Sequence, residues 1–169
     1  TKGDLVQQSI GLGSTPGGAV GRTLTSNPVA YPASKGWFVN LPEAGERQVT
    51  DPVIRGDLVF YNTTTPDANP CEAGGTSWLM VADWLTGGAP KQTAFDINND
   101  FTIDDLDTIN DEAPAGVKVT GIAASPVNLA NKRYTSTTQT SGGSTVEVTE
   151  IIDLGGPRTG RLSWEELSR

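Results

Sequence analysis

Twelve consecutive residues, 96–107, carry the side chains in this chain that are best suited to chemistry. They repeat hard oxygen donors at a fixed spacing, with one backbone carbonyl between them. The candidate ligands are Asp96, Asn98, Asp100, the carbonyl of Thr102, Asp104 and Asp107. A calcium ion takes roughly six to eight oxygen ligands at about 2.3–2.6 Å, and a twelve-residue loop with this spacing can wrap around one ion. The spacing therefore predicts an EF-hand- or dockerin-like calcium loop, with Ca²⁺ as the expected cofactor.

Two positions depart from the usual loop pattern. Phe101 stands where a glycine normally makes the sharp turn, and Asp107 stands where a sensor loop has a bidentate glutamate. Aspartate at the last position is typical of dockerin-type loops, in which calcium stabilises the structure. The alternative interpretation is a solvated acidic loop whose spacing is fortuitous. We expect the calcium loop to act as a structural clamp.

The overall composition argues against several classes of function. The 169 residues carry a net charge of −8, contain no histidine, and scatter twelve basic residues along the chain. This balance is not that of a nucleic-acid-binding protein. Without histidine, a general base would have to be a carboxylate, lysine or tyrosine, and no such pair is evident, so we expect no enzymatic activity. No run approaches the roughly 20 apolar residues of a membrane span.

The sequence pattern predicts an all-β protein with many turns. It has 20 glycines and 11 prolines and alternates Val, Ile and Thr with polar residues. We divide it into a Gly/Ser/Thr-rich extended or mobile segment (1–35), a strand region (36–95), the calcium loop (96–112) and a C-terminal β region (113–169). In the last region, 133–140 and 145–152 are predicted to form a long hairpin. The chain starts at Thr1, which suggests a portion of a longer protein with its targeting signal upstream.

The tripeptide Arg55-Gly56-Asp57 matches an integrin-type recognition motif. It also lies between two apolar runs that need a tight turn, which Gly and Asp form easily. The turn is the simpler interpretation, and adhesion through the motif is the alternative. Cys71, the single cysteine, has no histidine to activate it, so a structural role is expected.

Several blocks of the sequence together are similar to one known family. They are Gly36-Trp37-Phe38-Val39-Asn40-Leu41-Pro42-Glu43, Asp51-Pro52-Val53-Ile54-Arg55-Gly56, Gly74-Gly75-Thr76-Ser77-Trp78-Leu79-Met80 after Pro70-Cys71, and Gly160-Arg161-Leu162-Ser163-Trp164 near the end. The combination resembles the C-terminal region of the PilY family. These are type IV pilus tip-associated adhesins of Gram-negative bacteria, related to the neisserial PilC adhesins.

The resemblance implies a calcium-stabilised, non-enzymatic module of a pilus tip adhesin and assembly factor. It implies a location outside the cell at the pilus tip (the fimbrium), reached through the periplasm and outer membrane. It also implies roles in pilus biogenesis, surface adhesion and twitching motility. The expected partners are minor pilins, the rest of the parent adhesin, and host or abiotic surfaces. Leu162 and Trp164 are the residues we expect to contact a minor pilin.

The family likeness also refines the expected fold. The strand at Trp78, with its following turn, is similar to a blade strand of a modified quinoprotein-like β-propeller. The chain is too short for a whole propeller. It is therefore expected to supply a closing blade and a β-hairpin-containing C-terminal region. Two alternatives remain: a fragment of an extracellular carbohydrate-active protein with a dockerin-like loop, and a structural surface-filament protein.

Overall fold

The computed structural model describes residues 1–69, 74–98, 100–138 and 144–152. These ranges form eleven β-strands and two short 3₁₀ turns and contain no α-helix, so the all-β prediction is confirmed. The strands are β1 (Val6–Gln8), β2 (Ile10–Ser14), β3 (Val20–Leu24), β4 (Trp37–Val39), β5 (Val53–Arg55), β6 (Leu58–Pro66), β7 (Gly75–Asp83), β8 (Gly116–Thr120), β9 (Val127–Leu129), β10 (Lys132–Thr138) and β11 (Ser144–Glu150). The 3₁₀ turns are Lys2–Asp4 and Asp105–Asp107.

A six-stranded sheet in the order β2-β3-β8-β7-β6-β5 forms the centre of the fold. Its two longest strands, β6 and β7, pair antiparallel over their full length, from Leu58 opposite Asp83 to Pro66 opposite Gly75. Both strands carry apolar residues on successive positions, which is the pattern of a sheet buried on both faces. Each face of the sheet must therefore be covered by another part of the chain.

The three-stranded sheet β11-β10-β9 covers the first face. Between the sheets lies a core that contains Phe60, Phe95, Ile97, Ile109 and Ile151, all buried. The rings of Phe60 and Phe95 meet edge to face with their centroids 6.2 Å apart. Because Ile97 and Ile109 flank most of the acidic loop, the loop is anchored at both ends in this core.

The parallel pair β1-β4 contributes to the cover of the second face. Its Trp37 and Val39 pack against a smaller core that includes Val59, Ala82 and Leu24. The indole nitrogen of Trp37 also donates to the carbonyl of Trp84, at 3.1 Å. This contact fixes the turn that follows β7.

An ion pair within the fold attaches the segment after β4 to the same face. The guanidinium of Arg22 and the carboxylate of Glu46 are both fully buried and form a bidentate pair, at 2.5 and 2.9 Å. The guanidinium also lies 4.0 Å from the ring centre of Trp78. Glu43 accepts from the Trp78 indole nitrogen at 2.8 Å and from Lys118 at 3.3 Å. A bidentate guanidinium–carboxylate pair fixes the geometry of both side chains.

The Gly-rich N-terminal segment is extended and contributes strands, including β2 and β3 of the central sheet. Two of its glycines permit close packing. A Cβ atom at Gly13 would lie 2.2 Å from the side chain of Ile109, and one at Gly21 would lie 2.6 Å from the same residue. Glycine at these two positions therefore lets the core isoleucine approach the backbone of the sheet.

Replacing Glu46 by glutamine should lower the free energy of unfolding by about 3 kcal/mol, because buried Arg22 would lose its bidentate partner and keep only the longer ion pair with Glu43, at 3.4 Å. Urea unfolding at neutral pH measures the change. Glu112→Gln at an exposed position is the control and should change stability by no more than about 0.5 kcal/mol. Equal stabilities of E46Q and E112Q would contradict the structural role of the pair.

Stability should also depend on pH through Glu46. Burial alone would raise the pKa of this carboxyl, but hydrogen bonds from Arg22, Thr63 and a backbone N–H outweigh it and hold the pKa below its ordinary value of 4.5. The pKa of Glu46 is lower in the folded state than in the unfolded chain. The contribution of Glu46 to the free energy of unfolding is therefore fully present above the ordinary pKa and is lost as pH falls through the folded-state pKa. Between pH 7 and pH 3, the free energy of unfolding of the wild type should therefore fall more steeply than that of E46Q.

Candidate calcium loop and contact surfaces

The acidic loop begins and ends at buried carboxylates. Asp96 follows Phe95, which forms a β-bridge with Ile151, and only 3% of Asp96 is exposed. Asp107, at the other end, is completely buried. Burial of both ends follows from their neighbours, because the loop is anchored in the core between the two sheets.

Asp107 closes the loop through backbone hydrogen bonds. Its Oδ1 accepts from the amides of Ile97 and Asn98, at 2.9 and 3.2 Å, and its Oδ2 accepts from the amide of Asp104, at 3.2 Å. A carboxylate shared among three amides ties loop positions 2, 3 and 9 to position 12. The short aspartate side chain suits this arrangement because it sits directly against the backbone.

Successive donor residues also fold the loop back on itself. Asn98 Oδ1 accepts from the amide of Asp100, and Asp100 Oδ1 accepts from the amide of Thr102, each at 2.8 Å. Asp104 Oδ1 accepts from Leu106 at 2.8 Å and caps the 3₁₀ turn Asp105–Asp107. These are turns in which a side chain bonds the backbone two residues on. The sequence spacing thus corresponds to a regular, compact loop.

Phe101 adopts the backbone conformation normally reserved for glycine at this position. Its φ is 67°, and its amide donates to Asp96 Oδ2 at 2.8 Å. The side chain is 81% exposed. Left-handed backbone is unfavourable for a residue with a bulky side chain. The loop therefore keeps the sharp turn despite the unfavourable residue.

The donor set fits calcium in its chemistry, since all six groups supply hard oxygen atoms. Within the described part of the chain, however, no group of three or more carboxylates or thiols is arranged so that it could hold a metal ion. Ligation would require the side chains of Asp96, Asp100 and Asp104 to turn from their backbone partners toward a common centre. The calcium site stays a prediction.

The integrin-type motif forms the turn between β5 and β6. Gly56 has a φ of 57°, and the carbonyl of Asp57 accepts from the amide of Trp84 at 3.0 Å. The guanidinium of Arg55 donates to the carbonyl of Ala130. These contacts agree with the interpretation as a turn, and recognition of the motif by a receptor stays a prediction. Leu162, Trp164 and Cys71 lie outside the described residues.

An apolar surface on the three-stranded sheet was not identified from the sequence. The register brings Val127 and Val148 to either side of Tyr134, with Leu129 and Val146 on the same face. Val127, Leu129, Val146 and Val148 are 61%, 68%, 59% and 49% exposed. We call these five residues the outer face. Alternation of Val146 and Val148 with Glu147 and Thr149 was the available signal, but the pattern does not reveal which side is buried.

Known proteins with similar sequences were found among curated proteins but not among family models. No family model matches the chain. Among curated proteins, it is 30% identical over 118 residues, 62% of the chain, to the type IV pilus biogenesis factor PilY1 of Pseudomonas aeruginosa strain PAO1. It is 26% identical over 136 residues to the protein of that name in strain UCBPP-PA14, covering 78% of the chain. A PilY1 homologue of Xylella fastidiosa is 36% identical over 74 residues, covering 40% of the chain.

The same likeness extends to three dimensions. The crystal structure of the P. aeruginosa PilY1 C-terminal domain superposes with a TM-score of 0.67 and 22% identity, covering 93% of this chain and 33% of that one. The chain spans 5–11% of the length of these curated relatives. The fold is thus that of a type IV pilus biogenesis factor's C-terminal domain. The resemblance to the C-terminal region of the PilY family is confirmed. The described residues include no helix that is long and apolar enough to cross a membrane.

Replacing Phe101 by glycine should stabilise the protein by about 1 kcal/mol, because glycine adopts the left-handed turn without steric cost. Thermal and urea unfolding in the presence of a chelator measure the effect without metal. Phe101→Ala removes the same exposed ring but keeps a Cβ atom, so its free energy of unfolding should rise little. If alanine stabilises the chain as much as glycine does, the ring and not the backbone turn is responsible.

Proposed function

We propose that this chain is a non-enzymatic, calcium-stabilised C-terminal module of a type IV pilus tip adhesin and assembly factor. The observation that carries the proposal is the agreement of sequence and fold with the C-terminal domain of PilY1. Such a module would act outside a Gram-negative cell, at the pilus tip, and would support pilus biogenesis, surface adhesion and twitching motility. Its partners would be minor pilins and the remainder of the parent protein.

The proposed role of calcium is to stabilise the junction of the two sheets. The loop lies between β7 and β8 in the chain. Ile97, at its second position, and Ile109, just after its end, belong to the core under the three-stranded sheet. An ion held by the loop would therefore stabilise packing that extends beyond the loop. Extracellular modules bind calcium with dissociation constants of about 10⁻⁴–10⁻³ M. Binding at a hundredfold excess over Kd would add about 2.7 kcal/mol to the free energy of unfolding.

Calorimetric titration with calcium should give one binding event in the wild type and none in the double variant Asp96→Ala, Asp100→Ala. Asp105→Asn is the matched control, because Asp105 is an acidic loop residue at position 10, which supplies no ligand. It should bind calcium as the wild type does. Calcium should also raise the melting temperature of the wild type and of Asp105→Asn, but not that of the double variant. Heat of binding that survives in the double variant would exclude these two ligands.

The proposed contact with a minor pilin uses the outer face together with the C-terminal residues Leu162 and Trp164. Four strongly exposed Val and Leu side chains on one face of a small sheet form the kind of patch that protein partners cover. β11 is the outermost strand of this sheet in the described region. An extended segment could also join the pilin sheet by strand addition, in which backbone hydrogen bonds give affinity and alternate side chains give specificity.

Co-purification with minor pilins tests this contact. The double variant Val146→Lys, Val148→Lys should lose the pilins because it introduces two charges into the outer face, and deletion of residues 158–169 should do the same. Val49→Lys replaces a valine that is 69% exposed in the segment after β4 and does not belong to the outer face, so it should retain them. All variants should unfold at similar urea concentrations. Full recovery of pilins with both altered proteins would rule out this contact surface.

The proposed relation to a propeller rests on the path of β5 to β8. These four consecutive strands are neighbours in the sheet in chain order and all pair antiparallel, as in a propeller blade. In this proposal they correspond to the closing blade of a modified quinoprotein-like propeller in the parent protein, and β2 and β3 extend it.

A further inference from the structure

A buried arginine joins the three-stranded sheet to the central sheet without an acidic partner. Arg133 on β10 is fully buried, and its terminal nitrogens donate to the carbonyls of Met80 and Tyr61, at 3.3 and 3.1 Å, and to the amide oxygen of Asn62. Its guanidinium carbon lies 5.7 and 5.6 Å from the ring centres of Phe60 and Phe95. No ion pair to Arg133 occurs among the described residues, in contrast to Arg22.

Several polar atoms next to this arginine have no hydrogen-bond partner. In the described part of the chain, Arg133 Nε, Thr135 Oγ1 and both side-chain amide atoms of Asn128 are buried and unpartnered. Asn128 lies directly opposite Arg133 in the β9–β10 register, and Thr135 is the next inward-facing residue on β10. The three side chains are therefore neighbours on the same buried face. We call them the β9–β10 polar cluster.

The cluster places three donor groups and one acceptor on neighbouring side chains. Asn128 Oδ1 and Arg133 Nε are complementary and sit on directly paired residues, yet they do not bond to each other. Buried polar groups in native proteins are nearly always paired with protein atoms, water or an ion. Side chains directly opposite in a sheet have Cβ atoms only about 4.5–5.5 Å apart. A ligand shared by Asn128 and Arg133 would therefore lie between directly opposite side chains, where a small one fits best.

The charge of the cluster favours an anion over water. The guanidinium Nε–H, the Asn128 amide N–H groups and the Thr135 hydroxyl are donors, and the guanidinium adds a positive charge. Burial lowers the pKa of Arg133 to about 9, as expected for a cation that lacks a counter-charge. Water would satisfy the donors but leave this charge uncompensated. An anion accepts from the donors and compensates the charge, and leaves only the acceptor Asn128 Oδ1 without a partner.

We propose that Arg133, Asn128 and Thr135 bind a small monovalent anion of the halide class between the two sheets. The anion accepts hydrogen bonds from Arg133 Nε, the Asn128 amide nitrogen and the Thr135 hydroxyl. It compensates a charge that the described residues leave unpaired, and so stabilises the docking of β9 and β10 on the central sheet. This site is separate from the calcium loop and does not depend on the proposed pilus function.

Bromide is the probe, because it scatters anomalously and replaces chloride. Crystals of the chain soaked in sodium bromide should show an anomalous peak between Arg133 Nε, the Asn128 amide and Thr135 Oγ1. In solution, sodium bromide or chloride should raise the melting temperature above that in sodium gluconate at equal ionic strength. A non-anomalous density peak at the site, meaning a bridging water, would overturn the proposal.

Variants separate anion binding from a merely structural role. Thr135→Val keeps the shape of the side chain and removes one donor, so the halide concentration needed for half the melting shift should rise about tenfold. Asn128→Leu should abolish the shift. Thr137→Val is the matched control, since Thr137 is buried on the same face of β10 and its hydroxyl is not among the unpartnered atoms; its halide response should equal that of the wild type. An unchanged halide response in both cluster variants would refute the site.

Discussion

The burial of β6 and β7 on both faces is the constraint on which the rest of this fold depends. A sheet with apolar residues on both sides cannot leave either side to water, so the chain must supply two covers. One cover is the three-stranded sheet, and the other is built from β1, β4 and the segment after β4. Neither cover is large. Each is joined to the central sheet by one buried arginine, Arg22 on one face and Arg133 on the other.

The two arginines solve the problem of a buried charge differently. Arg22 pairs with the buried carboxylate of Glu46 and lies over the ring of Trp78, and these two contacts fix its orientation. Arg133 relies on backbone carbonyls and one amide oxygen, which accept its hydrogen bonds but carry no net charge. Removal of a partner is costly in both cases because the remaining charge stays out of water. The acidic loop is attached to the second arginine's side of the sheet, so the two ends of the loop and the docked three-stranded sheet share one core.

Local patterns predicted local structure well in this chain. The apolar run at β7, the Gly56 turn and the pairing of β10 with β11 all follow from residues close in sequence. The sequence could not indicate that the Gly-rich segment joins the central sheet, because that depends on Gly13 and Gly21 meeting Ile109 nearly a hundred residues later. Nor could it identify the Arg22–Glu46 pair or the exposed side of β11. The candidate calcium ligands were predicted from spacing alone, and calcium binding stays a prediction. The tie between Asp107 and three amides emerges only in the folded chain.

The pairing of β3 with β8 has a consequence for the order of folding. Arg22 lies opposite Gly116, so these neighbours in the sheet are about ninety residues apart in the chain. Contacts of such long range must close a large loop before they contribute any stability, and they slow folding. The consecutive strands β5 to β7 can pair while the chain is still emerging, but the central sheet is complete only after β8 has appeared. A chain of this design remains open until most of its length is available, because the strand that closes the central sheet comes late in the sequence.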